Sequence, residues 1–420
     1  MSKVNFRRVN FKETFFYDVE FNDVAFRGVR FDGYTNFIHS DFNAEARFGG
    51  CTFSYPVIFI ENKFKSKVKF EEVNFNGVDF KDVEFNDVVF EYVTFDNLTV
   101  FDSSIFNAET SFNKCTFSSQ ADFSRSQFLS KVNFRRVIFK QVNFANVNFI
   151  DDVVFDGVLF DSLTSFYNSK FQSKVSFQGC MLPELIDFSN VTEINEQIDL
   201  TKASVNSDYG LCKINLYGSA VEKFKLDYAN FQLWFHIDSK SNYKGRKDVY
   251  EKLLKVQLDN GYSAGYNKLV AEYGVIKYLA EDREYDLLVG QTLNFLNKYL
   301  WNYGTKKELA VINLINLFLI LTFINTLFLP TMINSVYTIE KIKIGVSEIS
   351  WWGIPTLIKY FAYALVYTGL IFFGLKFTLD NLHIKENLKS WKWLRLVYFF
   401  FMYISGLIYL AFIANFIFKG

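Results

Sequence analysis

Phenylalanine recurs along the first 190 residues at a spacing that belongs to neither regular secondary structure. Phe6, Phe11, Phe16, Phe21, Phe26 and Phe31 are five apart. The step then alternates six and five through Phe37, Phe42, Phe48, Phe53, Phe59, Phe64 and Phe70. Fives return to Phe95, the alternation to Phe134, fives to Phe149, and a last alternating block ends at Phe188, with Leu182 the one substitute. Two residues before each of these lies a small or β-branched residue: Val4, Val9, Thr14, Val19, Cys51, Val57, Val68, Val132. Asn62 is the misfit. A helix repeats its apolar positions every 3.6 residues and a strand every 2. A period of five with two inward residues requires a chain that turns a corner in every unit.

The unit small, any, Phe, any, any over residues 4–188 resembles that of the pentapeptide-repeat proteins. The resemblance implies a right-handed quadrilateral β-helix, four units to a coil, with Phe and its small partner inside. The octapeptide SKVNFRRV occupies 2–9 and again 130–137, and SKV recurs at 66–68. Twelve units, or three turns of a four-sided coil, separate successive copies. Lys3, Lys67 and Lys131 should therefore line one face, about 14 Å apart at the strand spacing of ~4.8 Å. They form a candidate interaction face for an unknown protein partner.

Beyond Phe188 the pattern blurs and resumes weakly at Leu216, Val221, Leu226 and Phe231. Residues 189–240 read as degenerate coils that cap the rod, so that it ends without an open strand edge. Residues 241–305 change to helical spacing and read as a helical linker. The region 306–420 carries apolar runs at 309–330 and 397–418, without charge over a bilayer's width, and a third at 353–377 with Lys359 and Lys376 near its ends. Three transmembrane helices are expected. Trp301, Trp351, Trp352, Trp391 and Trp393 lie beside the span ends, where membrane-interface anchors belong. The excess of Lys385, Lys389, Lys392 and Arg395 in the second loop puts that loop, and the rod, on the cytoplasmic side.

Composition narrows the function classes. Residues 1–190 hold 20 Lys and Arg against 25 Asp and Glu, a net of 20 − 25 = −5 that is well mixed. That is the wrong sign for a nucleic-acid binder and a weak one for the acidic DNA mimicry found among pentapeptide-repeat proteins. Cys51, Cys115 and Cys180 occupy the small inward position, and with Cys212 they form no CxxC pair. They read as core residues, no metal or cofactor is expected, and no nucleotide-binding, zinc-protease or serine-hydrolase motif is present.

Some pentapeptide-repeat proteins carry a C-terminal ion-channel module with a pore segment between two spans, and the order here looks similar. Asn313 and Asn316 in the first span, with Thr368, Gly369 and Gly374 in "YTGLIFFG", are the candidate pore or bundle lining. The filter itself is absent. The sequence thus describes an integral membrane protein, expected in a bacterial inner membrane, with a cytoplasmic rod serving as a non-enzymatic interaction or sensing scaffold. Its expected partners are the lipid bilayer and further copies of itself in a homo-oligomer. A channel gated by the rod is the alternative.

Overall fold

The computed structural model describes residues 3–236, 243–280, 307–347, 354–375, 378–384 and 393–418, with Phe295, Lys298, Tyr299, Asn302 and Ile349. The chain divides into two compact units, Met1–Gly290 and Gln291–Gly420.

The first unit is built on a parallel β-solenoid of about ten coils. Its first coil consists of β1 (Val4–Arg7), β2 (Asn10–Phe11), β3 (Thr14–Phe15) and β4 (Glu20–Phe21). One side stacks Val4, Val24, Ala46, Val68, Val88, Thr110 and Val132 in register. The coils along that column are 20, 22 and 22 residues long from Val4 to Val68. Their sum is the 64-residue echo of the sequence.

The inward phenylalanines form four continuous ring stacks. Phe31 and Phe53 lie 4.4 Å apart with planes within 1°, and Phe37 and Phe59 lie 4.7 Å apart. From Phe26 to Phe188 these rings are fully buried. Each contributes ~1.5–3 kcal/mol by burial, to a core that is continuous from coil to coil.

The mixture of five- and six-residue steps has a geometric explanation. Two diagonally opposite corners of each coil turn through a left-handed residue two positions after Phe. Arg8, Gly28, Gly50, Glu72, Tyr92 and Lys114 stack at one; Asp18, His39, Glu61, Asp82, Ser103 and Arg125 stack at the other. Every step through such a corner has five residues. The six-residue steps all fall at the other two corners, where the strand either breaks or runs on, as in Lys63–Glu71 with its register shift between Phe64 and Lys67. The extra residue is absorbed where no left-handed turn fixes the path.

The sequence patterns of 189–233 remain within the solenoid: Leu216, Val221, Leu226 and Phe231 are all buried. Closure comes instead from two helices of the segment expected to be a linker, α1 (Tyr243–Asp259) and α2 (Ser263–Ala280). Val249, Tyr250, Leu253, Val256 and Leu269 join the same core as the phenylalanines.

The second unit contains α3 (Lys307–Ser335), α4 (Glu340–Ser347), α5 (Ile354–Phe372) and α6 (Trp393–Phe418). Two helices, Glu308–Ser335 and Trp393–Ala411, are long and apolar enough to cross a membrane. The third expected span, 353–377, is a shorter apolar helix over Leu357–Phe372. It stops because Gly374 turns left-handed (φ +65°) and the Leu375 N–H reaches back to the Leu370 carbonyl.

Candidate interaction surface and membrane helices

The register places Lys3, Lys67 and Lys131 one residue before Val4, Val68 and Val132, in one column. Carboxylates fill the intervening coils of that column: Asp23, Glu45, Asp87 and Glu109. Lys3 pairs with Asp23 and Lys67 with Asp87, each at 3.2 Å. Two carboxylates separate each lysine from the next, so the column is a mixed-charge ladder, not a basic stripe.

Elsewhere on the surface the same device recurs. Lys65 bonds Asp41 one coil below (2.6 Å), and Lys213 bonds Glu184 (2.8 Å). Asp102 is buried, which pushes its carboxyl up; hydrogen bonds from Arg125 and Ser124 outweigh that and leave it below the ordinary carboxylate range. Pairs on the exposed faces contribute at most ~1 kcal/mol each. Their larger effect is that the rod's charge is largely neutralised coil by coil.

The inward polar residues are structural. Ser40, Ser104, Ser126 and Ser169 follow left-handed corners, and each hydroxyl donates to a phenylalanine carbonyl one coil below, at 2.5–3.0 Å. Cys51, Cys115 and Cys180 occupy the equivalent place after the other left-handed corner: Cys51 faces the Phe26 carbonyl at 3.4 Å and Cys115 the Phe90 carbonyl at 3.5 Å. Burial pushes the Cys51 thiol up to about 11 and those of Cys115, Cys180 and Cys212 to about 12, so none is a thiolate at neutral pH. Asn62, the sequence misfit, is fully buried and accepts the Ser40 N–H at 2.8 Å. Among the described residues no three His, Cys, Asp or Glu side chains gather to hold a metal ion.

In the second unit the expected lining residues separate. Asn316 is exposed, and Asn313 is half-buried with its amide donating to the Tyr299 carbonyl at 3.0 Å. Thr368 is buried, where it meets a residue the sequence reading passed over. Asn325 of α3 donates to the Thr368 hydroxyl of α5 (2.8 Å) and accepts from the Tyr398 hydroxyl of α6 (3.2 Å). Thr322, Asn325 and Thr326 are all fully or nearly buried. Their spacing of three and four was visible as one polar face of α3. Gly369 lies against Phe318 of α3, and Gly374 terminates α5. Trp393 opens α6 and is exposed, whereas Trp301, Trp351, Trp352 and Trp391 lie outside the described residues.

A repeating unit of five, four-sided coils and stacked phenylalanines define a β-solenoid of structural type. Residues 101–148 match the family model described as pentapeptide repeats (9 copies), and the N-terminal region is a pentapeptide-repeat solenoid. No curated protein and no solved structure matches the chain.

Proposed function

We propose that this protein is a membrane-anchored, non-enzymatic scaffold whose pentapeptide-repeat rod presents a regular surface to a protein partner in the cytoplasm. The observation that carries this reading is the contrast in exposed surface between the two units. Many of the solenoid's exposed charges are paired along the coils. By contrast, α3 exposes Ile312, Ile315, Leu319, Ile320, Phe323 and Leu327, and α6 exposes Val397, Phe401, Ile404 and Ile408. Contiguous apolar surface on that scale requires a cover, and a lipid bilayer supplies it. The buried contacts among Asn325, Thr368 and Tyr398 support helix packing more than a water-filled path, because their hydrogen-bonding groups face one another.

Membrane preparations of cells expressing the full chain test the anchor. The protein should stay with the membranes after an alkaline carbonate wash. Cross-linking in intact cells should recover a cytoplasmic partner that is lost when the solenoid is removed. Release by carbonate, or ion current through planar bilayers with no recovered partner, would replace this reading. Cysteine labelling at Lys389 then tests the cytoplasmic placement of the second loop.

A further inference from the structure

The two ends of the solenoid are unlike, and the first coil is the open one. Among the described residues β1 to β4 pair on one side only, with Val24–Arg27, Arg30–Phe31, Thr35–Asn36 and Asp41–Phe42 of the next coil. Phe6, Phe11, Phe16 and Phe21 are only partly buried, whereas Phe26, Phe31, Phe37 and Phe42 above them are sealed. Val4 is 46% exposed. The first coil therefore offers four apolar rings ringed by four unpaired strand edges, an arrangement that templates further strand pairing.

Charge says what fits it. Arg7 and Arg8 are exposed at the corner between the first and second sides. Asp18 and Glu20 are exposed about the corner between the third and fourth. These corners are diagonally opposite, and among the described residues Arg7, Arg8 and Asp18 have no ion pair within the chain. Turning a second copy over, about a two-fold axis along the other diagonal, lays each basic corner on an acidic one. The same operation sets β1 against the partner's β4 and β2 against the partner's β3. Because the turned copy circulates the opposite way, the strands meet antiparallel and can exchange backbone hydrogen bonds. The four phenylalanines of each copy then face one another.

We infer that the open first coil is a homodimer interface, joining two copies end to end through an isologous contact. It needs no other protein and stands independently of the scaffold reading.

The test is light scattering on the full-length protein in detergent, over a concentration series. The wild type should dimerise. R7E/R8E and D18K/E20K should each weaken the dimer by at least about tenfold, because each sets like charges face to face. An equal mixture of the two variants should restore it, because every corner contact in the mixed dimer is again opposite in sign. Circular dichroism and thermal melting matching the wild type show that the variants remain folded. N5C/E20C, which pairs β1 with the partner's β4, should form disulfide-linked dimers on oxidation. Monomers at every concentration would overturn the inference, as would a dimer indifferent to both reversals, which would place the contact in the apolar helices. Failure of the mixture to restore association would overturn it too.

Discussion

The two ends of the solenoid face the same physical problem and differ in how it is met. At the last coil, side chains of α1, α2 and the coil itself occupy the hydrogen-bonding positions that a further coil would have filled. The Gln257 amide donates to the Leu226 carbonyl and accepts the Tyr228 N–H, both at 2.9 Å. The Lys268 ammonium donates to the Phe231 carbonyl at 2.5 Å, and the Leu233 N–H donates to the Tyr228 hydroxyl at 2.8 Å. α2 comes so close that a side chain at Gly265 would collide with Gln257 Oε1, 2.4 Å from the position of its Cβ. The first coil has no such cover among the described residues. A repeat stack is stabilised by neighbours, so its ends must be finished by something outside the repeat.

The largest expected effect comes from removing one ring at each end. Phe224 is fully buried beneath the cap, and Phe224→Ala should cost about 3–5 kcal/mol. Phe6→Ala, at the half-exposed open end, should cost less than about 1.5 kcal/mol, since much of that ring is already in water. Both are read by denaturant unfolding of the full-length protein followed through circular dichroism. Equal losses would erase the distinction.

Gln257→Leu keeps the apolar stem but orphans the Leu226 carbonyl and the Tyr228 N–H. A loss of about 1–3 kcal/mol per orphaned group is expected, with the last coils melting before the middle ones.

A smaller effect concerns pH. Burial raises the pKa of Glu272, outweighing the Tyr228 hydroxyl that donates to it at 2.6 Å and the nearby Lys268. A carboxyl whose folded pKa lies above its ordinary 4.5 favours the fold while protonated and loses that contribution as pH rises through the folded value. The cap's melting temperature should therefore fall as pH rises from 4.5 toward neutrality. Glu272→Gln, which keeps the acceptor for Tyr228, should flatten the slope.

The least perturbing test uses the thiols. Cys51, Cys115 and Cys180 lie in the stacked coils and Cys212 lies under the cap, all buried. Maleimide labelling of the native protein should be negligible at all four. Cys212 should be the first to react when Gln257→Leu loosens the cap.

How much of this was legible in the sequence differs between the same regions. The solenoid was open to reading because one residue type, Phe, marks every inward turn, and its step of five excludes helix and flat strand. The 64-residue echo marks Lys3, Lys67 and Lys131 in the sequence, but not the carboxylates between them: Asp23 and Glu45 sit at coil spacings of 20 and 42 from Lys3, visible only once the coil length is known. The cap was not legible. α1 shows helical periodicity, but nothing in "YKGRKDVYEKLLKVQLD" says which surface Leu253 and Gln257 meet, because that choice is made by the shape of the last coil. In the second unit, Asn313 and Asn316 drew attention as a pair, whereas burial selected Asn325, whose partners lie 43 and 73 residues away. The spacing of Thr322, Asn325 and Thr326 marks a polar face of α3 in the sequence, but which residues that face meets is set by non-local packing that has no period.

Hydrogen exchange read by mass spectrometry tests the central asymmetry most directly, on full-length protein in detergent, diluted until it is monomeric. The account predicts that amides of β1 to β4 exchange fast while those of Cys212–Asn215 and Phe231–Leu233 under the cap are retained, with protection of the first coil rising as concentration increases. First-coil amides as slow as those under the cap in the dilute protein would contradict it.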